Sequence, residues 1–317
     1  MTARIHQLKA GRQSDNPKAS ALVFSYTQAA QSESTRRSYD QDIRHFKANG
    51  GTIPATPAMV AEYLATFGGV LAVATLQHRL IAIHRAHSDQ GLQSPIRDPR
   101  VKKVMQGIRR TFGVAQRQVR ALVKDDLLEL MVTVETQKPL KAARDKALIL
   151  IGFAGAFRRS ELVALNVDDI TQYDHGVELR ILRSKTDQEG AGRTVFIPFA
   201  KSKARCPVTS LQKWLALAGI TAGPLFRRVN CHDHLGSTKA LTPPSVALIL
   251  KSAVGKAKGW EAALTVAGHS LRSGFATEAA MASWPTAAIM EQTGHKSHEM
   301  VMRYIRPVHK RQIPSLL

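Results

Sequence analysis

Two strand-like segments set the strongest constraint on the fold of this chain of 317 residues. GVELRILRS, which begins at Gly176, and RTVFIPF, which begins at Arg193, are rich in β-branched and apolar residues, and the turn-forming segment KTDQEGAG separates them. This pattern predicts an antiparallel hairpin. Helical patterns dominate the rest of the sequence. We therefore predict a mainly α protein with one small antiparallel sheet in its second half.

The first third of the sequence predicts helices and shows no strand pattern. STRRSYDQDIRHFKAN brings Tyr39, Ile43 and Phe46 to one face of a helix. PAMVAEYLATF, TLQHRLIAIHRAHSDQG and DPRVKKVMQGIRRTF are predicted to form further helices. We expect an all-α domain over residues 21–113, preceded by a flexible basic tail at residues 1–20.

The remaining sequence predicts an α+β domain over residues 124–317, joined to the first by a basic linker at residues 114–123. KAARDKALILIGFAGAF is typical of a buried helix, and RSELVALNVDDI of a short helix that leads into a strand. After the hairpin, helices are predicted to continue to the C-terminus. They are interrupted at TAGPLF, LTPPS, SWPT and Gly294.

The charge balance indicates a polyanionic partner. The chain has 45 Lys plus Arg against 24 Asp plus Glu, a formal charge of +21, which makes nucleic acid the first candidate. The segment from Arg97 to Lys124 is the most basic, with Asp98 as its one acidic residue. We interpret it as a linker that contacts phosphates, although a solvated helix face would have the same composition.

Membrane insertion and secretion are not favoured. The longest apolar stretch, ALILIGFAGAF from Ala147, is shorter than the ~20 residues that a membrane-spanning helix needs. The N-terminal sequence lacks the apolar core of a signal peptide. Cys206 and Cys231 are the only cysteines, too few for a disulfide framework and consistent with a reducing cytosol.

Four patches of the second domain contain side chains suited to phosphate chemistry. Arg158 follows the buried helix, where its guanidinium can be held rigidly for bidentate phosphate binding, and a salt bridge to Glu161 is the alternative. Lys185 lies at the hairpin mouth, where lysines are also commonly just solvated.

The other two patches lie further along the chain. His269 and Arg272 are three residues apart on a predicted helix, so a titratable group shares a face with a cation. In GHKSHEMVMRYIRP, His295 is predicted at a helix junction beside Gly294, and Tyr304 lies about two turns into the next helix. Tyr304 fits either a core aromatic residue or a nucleophile.

Taken together, these side chains favour phosphodiester transfer. Arginines can neutralise phosphate oxygens, a lysine and histidines can move protons, and a tyrosine oxygen can attack phosphorus once a base and cations activate it. The patches lack the clustered carboxylates of two-metal phosphoryl transfer. CHDH at 231–234 offers poor tetrahedral geometry for zinc, so we predict no metal and no other cofactor.

The order and kind of these residues resemble the tyrosine recombinases, also called the phage integrase family. AFRRSEL, SKT, HSLR and GH…Y match the family's motifs in their usual order. Further upstream, ATLQHRLIAIHRAH and DPRVKKVMQGIRR look like the core-binding domain of Cre-type recombinases. The resemblance implies a core-binding (SAM-like helical) domain and a catalytic domain that together form a C-shaped clamp on DNA.

The resemblance also implies a mechanism. Tyr304 would attack the scissile phosphate to give a 3′-phosphotyrosyl link, while Arg158 and Arg272 hold the phosphate oxygens. Lys185 would protonate the leaving 5′-oxygen. His269 would serve as acid and base toward the tyrosine, and His295 would form a hydrogen bond to the phosphate. Glu161 would support the site by orienting its neighbours.

Candidate DNA contacts follow from the same resemblance and from the basic segment. Cre-type docking would bring the helices that begin near Thr35 and Thr75 to major grooves, although exposed polar residues of a helix give the same pattern. The candidates are Thr35, Arg36, Arg37, Gln77, Arg79, Lys102, Lys103, Arg109, Arg110, Arg117 and Arg120.

The resemblance predicts a site-specific recombinase that exchanges strands through a Holliday junction in integration, excision or resolution. Its partner would be a double-stranded DNA recombination site with inverted-repeat arms around a spacer. We expect a homotetramer on DNA, a monomer in solution, no membrane partner, and a cytoplasmic, nucleoid-associated location. A type IB topoisomerase or a telomere-resolving enzyme would use the same side chains, and a non-catalytic DNA-binding regulator would share the charge.

Overall fold

The computed structural model describes residues 17–115, 119–182 and 192–312 of the chain. The chain divides into two compact units, Met1–Arg117 and Gln118–Leu317, and each has its own hydrophobic core. The division falls inside the segment predicted as the basic linker. The prediction of a mainly helical protein with a small antiparallel sheet is confirmed, although the described residues form two such sheets.

The first unit is helical throughout its described residues. Its core contains Phe46, Leu64, Leu76 and Ile83, all almost fully buried. The elements are α1 (Pro17–Ala29), α2 (Glu33–Ala48), α3 (Pro57–Phe67), α4 (Val73–Ser88) and α5 (Pro99–Phe112), with a 3-10 turn at Pro95–Arg97.

Helix α1 begins at Pro17, within the segment predicted as a flexible tail over residues 1–20. A proline is compatible with a helix start, since the first N–H groups of a helix have no intrahelical partner. The residues before Pro17 are polar and rich in helix breakers, so the sequence pattern did not indicate a helix start there.

The second unit combines helices with two small sheets. Its described elements, in chain order, are α6 (Lys124–Glu135), α7 (Pro139–Ala154), α8 (Arg159–Ala164), β1 (Ile170–Tyr173), β2 (Gly176–Ile181), β3 (Arg193–Pro198), α9 (Pro207–Ala218), β4 (Arg227–Val229), β5 (Leu235–Ala240), α10 (Pro243–Lys258), α11 (Trp260–Thr265), α12 (Ser270–Met281), α13 (Thr286–Thr293) and α14 (His298–Gln312), with 3-10 turns at Val167–Asp169 and Lys203–Arg205.

Helix α7 is the buried support of the second unit. Its residues Leu148, Ile149 and Ile151 are almost fully buried in the same core as Trp214 of α9. The Trp214 indole donates its N–H to the carbonyl of Leu225 at 2.8 Å, so this buried polar group is satisfied. The apolar run predicted as a buried helix is therefore α7. Its packing in the core holds the chain in place just before Arg158.

The predicted hairpin is confirmed as β2 and β3, which pair antiparallel, and β1 pairs antiparallel with β2 to complete a three-stranded sheet. The second sheet, β4 with β5, was not predicted, because the sequence was expected to stay helical there. Strand β5 reads LGSTKA and is largely exposed, so it lacks the apolar alternation by which a strand is recognised.

A small apolar cluster joins α12, α13 and α14. It contains Phe275, Ala276, Ile289, Val301 and Ile305. This packing fixes α14 against α12 and sets the position of the residues on the inner face of α14. In the part of the chain that the structure describes, no helix is both long enough and apolar enough to cross a membrane.

Candidate active site

A buried carboxylate organises the start of α8. Glu161 is fully buried and accepts hydrogen bonds from the Arg158 backbone N–H at 2.9 Å and from the Arg158 guanidinium at 2.6 Å. The alternative interpretation of Arg158 as a salt-bridge partner of Glu161 is therefore confirmed, and phosphate binding by Arg158 stays a prediction. A guanidinium has five N–H donors, so this pairing orients Arg158 and leaves donors for a ligand.

Arg193 joins this group, although no sequence motif singled it out. Its guanidinium lies 3.5 Å from Glu161 and donates to the carbonyl of Gln292 at 3.1 Å. Burial lowers the pKa of Arg193, partly against the attraction of Glu161. A lone arginine at the start of a strand has no spacing pattern, and its partners come from α8 and α13.

Gly294 ends α13 in the left-handed region, at φ 63°. A Cβ atom at this position would lie 2.7 Å from Nε of Arg193, so a side chain would be both strained and crowded. The glycine lets Arg193 approach the end of α13, and Arg158 makes a long 3.5 Å contact to its carbonyl.

Arg272 is the most buried cation of the site, with no exposed surface. One terminal nitrogen donates to the carbonyl of Ala156 at 2.8 Å, and Ala156 adopts a left-handed φ of 48°. Nε and Nη2 are buried and have no partner among the described residues. Burial first, and Arg158 second, lower the pKa of Arg272 to about 10. Buried donors without partners are rare, so these two mark a place for an anion.

His269 and Tyr304 are in direct contact. His269 precedes α12, and its Nε2 lies 2.8 Å from the Tyr304 hydroxyl. Surrounding protein and the positive charges of Arg272 and Arg158 lower the pKa of His269, although part of its surface remains exposed. A neutral imidazole has one bare nitrogen, so His269 can accept the Tyr304 proton.

Burial raises the pKa of Tyr304, and Arg272, Arg303 and Arg158 oppose this shift. The free hydroxyl therefore stays protonated at neutral pH, and a base is needed to make it a nucleophile. His269 is the base in contact with it.

His295 completes the site from the other side of Tyr304. The two rings lie 5.9 Å apart between centroids, and the His295 Nδ1 is 2.7 Å from the hydroxyl of Thr293. Burial first, then Arg272 and the other nearby cations, lower the pKa of His295 to about 3. This ring is therefore neutral at physiological pH. Like Arg193, Thr293 was not predicted as part of the site.

The structure thus places most of the predicted catalytic residues in one region of the second unit. Lys185 lies outside the described residues. Those brought together are Arg158, Glu161, His269, Arg272, His295 and Tyr304.

The CHDH segment has a structural part in the second unit. The carboxylate of Asp233 accepts the backbone N–H groups of Leu140 at 2.8 Å and Lys141 at 2.9 Å, and so caps the start of α7. Within the described ranges, no three His, Cys, Asp or Glu side chains are grouped as a metal ion would require.

The predicted DNA contacts of α5 lie on its exposed side. The other side, at Val101, Met105 and Ile108, is buried. Exposed cations opposite a buried face can reach phosphates without loss of core packing. These cations are Lys102, Lys103, Arg109 and Arg110.

The candidates of α2 and α4 differ in exposure. Thr35 and Arg36 are partly buried in the first turns of α2, Arg37 is exposed and pairs with Glu33, and Gln77 is partly exposed on α4. None of these positions excludes a DNA contact.

Arg79 is a correction to the predicted DNA contacts, because it is only 9% exposed. It donates to the Tyr63 hydroxyl at 2.6 Å, lies 2.8 Å from Nδ1 of His45, and pairs with Asp42 at 3.6 Å. These contacts tie α2, α3 and α4 together, so Arg79 serves the core of the first unit. Arg120 pairs with Asp126 at 2.6 Å, and Arg117 lies outside the described residues.

Comparison with known proteins places the chain among recombinases. The family model described as Phage integrase family matches residues 120–311. The chain is 38% identical to the integrase/recombinase XerD homolog of Selenomonas ruminantium over 306 residues, which cover 94% of this chain and 89% of that protein. Recombinase Cre of Escherichia phage P1 is 27% identical over 268 residues, with 80% of this chain and 76% of Cre covered.

Solved structures share the fold at low sequence identity. A Tn1549 transposon integrase in complex with a circular intermediate DNA has a TM-score of 0.62 at 14% identity, with 89% of this chain and 95% of that chain covered. XerH bound to palindromic difH substrate has a TM-score of 0.60 at 20% identity, with 81% and 70% covered. A lambda integrase dimer bound to a core site has a TM-score of 0.58 at 16% identity, with 90% and 96% covered.

Proposed function

The chain belongs to the phage integrase family of tyrosine recombinases, and from this premise we propose that Tyr304 is the nucleophile with which it cuts and rejoins DNA at a specific site. One observation carries the assignment: the Tyr304 hydroxyl lies 2.8 Å from Nε2 of His269, a histidine whose pKa is lowered by burial and by nearby arginines, which favours the neutral ring. A core tyrosine needs only a hydrogen-bond partner, whereas a nucleophile needs a base, and His269 qualifies as one.

The proposed reaction proceeds through a covalent intermediate. His269 accepts the proton of Tyr304, whose oxygen forms a bond to the scissile phosphorus as the bond from phosphorus to the 5′-oxygen breaks. The leaving 5′-oxygen takes a proton, which we assign to Lys185 on the family's pattern. Attack by the 5′-hydroxyl of a partner strand reverses these steps. The phosphotyrosyl bond conserves the energy of the phosphodiester, so no ATP is consumed.

Charge on the reacting phosphate is neutralised by arginines. Arg272 offers two buried donors without partners, and Arg158 has donors left over from its pairing with Glu161. Such fixed donors are typically worth ~10²–10³-fold in rate each. We propose that Glu161 and Arg193 orient this pair. The family's pattern gives His295 a hydrogen bond to the phosphate, in which the ring must be the donor because a phosphodiester has no hydrogen.

We propose that the partner is a double-stranded recombination site with inverted-repeat arms around a spacer. The XerH structure contains a palindromic substrate. The exposed cations of α5 support phosphate contacts by this chain as well. We further propose a monomer in solution, a homotetramer on DNA, strand exchange through a Holliday junction, and action on cytoplasmic, nucleoid DNA.

A nicked suicide substrate tests the nucleophile. Fragments of the DNA that flanks the chain's own gene, each nicked near candidate scissile phosphates, are incubated with the protein and separated under denaturing conditions. The unaltered chain should form a covalent protein–DNA adduct. Tyr304→Phe should bind DNA in a gel shift and form no adduct. Tyr173→Phe removes another tyrosine hydroxyl, 45% exposed on β1, and should form the adduct normally.

An adduct with Tyr304→Phe, or its loss with Tyr173→Phe, would overturn the assignment. The test also addresses the rival enzyme classes. A recombinase should join two DNA molecules only when both contain the site. Relaxation of any supercoiled plasmid, without pairing of sites, would favour the topoisomerase alternative.

A further inference from the structure

We propose that Thr293 is a positioning residue that fixes the neutral His295 ring in one tautomer, with the proton on Nδ1 and none on Nε2. The proposal concerns a residue that the family motifs do not single out in this chain. Its consequence for the reaction rests on the proposed function, but the tautomer itself is a property of the free protein.

The contacts of the Thr293 hydroxyl define where its hydrogen lies. Thr293 is the last residue of α13 and is fully buried. Its Oγ1 lies 2.6 Å from the carbonyl oxygen of Ile289 and 2.7 Å from Nδ1 of His295. A carbonyl oxygen has no hydrogen, so the short contact to Ile289 requires the hydroxyl to donate there.

Once that hydrogen is committed, the hydroxyl can only accept from His295. Nδ1 must therefore bear a proton, because two bare lone pairs 2.7 Å apart would repel. Oγ1 also lies 3.4 Å from the Met290 carbonyl oxygen. That contact too requires the hydroxyl to donate, so the hydroxyl still has no hydrogen to give to Nδ1. The network thus assigns the tautomer.

The backbone turn at Gly294 holds the side chains of Thr293 and His295 in contact. Gly294 turns the chain in the left-handed conformation, and the His295 N–H donates to the Met290 carbonyl at 3.1 Å. This closes the end of α13 and folds His295 back onto Thr293. Within the described residues, Nε2 of His295 has no hydrogen-bond partner in the protein.

The surroundings of the ring disfavour a second proton. Arg272 of α12, Arg158 before α8, Arg193 of β3 and His269 before α12 all act on it, and the Tyr304 ring of α14 lies 5.9 Å away between centroids, tilted by 33°. The neighbouring positive charges, together with burial, keep the ring neutral. A neutral ring with its proton on Nδ1 offers only a hydrogen-bond acceptor at Nε2.

In the proposed reaction, His295 can donate a hydrogen bond from Nε2 to a phosphate oxygen only after it takes up a second proton, because its Nδ1–H is committed to Thr293. This distinguishes it from His269, whose Nε2 already contacts Tyr304.

Nitrogen-15 NMR of the histidine rings in the free, full-length chain tests the tautomer at pH 7.5. A protonated ring nitrogen and a bare one resonate far apart, and His295→Gln identifies the signals of interest by their loss. We expect the unaltered chain to show the proton on Nδ1. Thr293→Ser keeps the hydroxyl and should keep this tautomer, whereas Thr293→Val has the same branched shape without it and should move the population to Nε2–H.

A proton on Nε2 in the unaltered chain, or an unchanged tautomer in Thr293→Val, would overturn the proposal. If Thr293→Val does not fold, the spectra of the unaltered chain and of Thr293→Ala still decide. Because the spectra need no DNA, failure to form any adduct would count against the proposed function alone.

Discussion

Replacement of Glu161 by glutamine is the sharpest probe of how the arginines of the site are held. The carboxylate side chain has no exposed surface, and the side chains of Arg158 and Arg193 are 14% and 21% exposed. Glutamine keeps the shape but removes the negative charge. It can also present its N–H₂ group to a guanidinium, which is already a donor, so one of the existing hydrogen bonds is lost.

The size of the stability loss in Glu161→Gln follows from the burial of the ion pair. Removal of one partner of a buried ion pair costs ~3–5 kcal/mol, because the remaining charge is left uncompensated. In a unit of this size, 1 kcal/mol corresponds to a Tm change of ~2–4 °C, so Glu161→Gln should lower the melting temperature of the second unit by roughly 6–20 °C. Adduct formation, measured well below that temperature, should fall ~10²–10³-fold because Arg158 is no longer oriented.

A matched control uses a carboxylate on the surface. Glu135 pairs with Lys146 but is 54% exposed, so Glu135→Gln should cost less than ~1 kcal/mol and leave adduct formation unchanged. Differential scanning calorimetry and the suicide substrate measure both variants. If Glu161→Gln melts within ~2 °C of the unaltered chain, the ion pair does not hold the site and the reasoning fails.

Three further predictions concern the base, the buried cation and the DNA-binding face. The rate of adduct formation should stay constant as pH falls to about 6.5 and decline only below it, because the pKa of His269 is lowered and the base must be neutral; a decline that begins above pH 7 would contradict this. Arg272→Lys should reduce adduct formation ~10²-fold with near-normal gel-shift affinity, since lysine lacks the planar fork; full activity would refute a bidentate role. Lys102→Ala should reduce the slope of log affinity against log salt by ~0.9, and an unchanged slope would remove Lys102 from the interface.

The sequence predicted those parts of the fold and site that repeat a pattern. The β2–β3 hairpin was recognisable from its β-branched runs, and the catalytic motifs from their order along the chain. The family was correctly identified from them. Such features are local in sequence, so they can be recognised before any contact is known.

The parts that escaped prediction depend on neighbours that are distant in sequence. Arg193 matters because Glu161 and the end of α13 meet it, and Thr293 because α13 ends in a turn that returns His295 to it. Arg79 looked like an exposed helix residue, but Tyr63 and other polar groups of adjacent helices enclose it. The role of a single residue of this kind becomes apparent only when its neighbours in the packed structure are known.

The two unpartnered donors of Arg272 have a consequence for the evolution of this fold. Each buried donor without a protein partner costs up to ~1–3 kcal/mol, so the protein gives up stability to hold a guanidinium with two donors that no protein group accepts from. An apolar side chain of similar length would be the better choice for folding alone. Selection for thermal stability alone would therefore tend to replace Arg272 early, and the proposed activity would be lost with it.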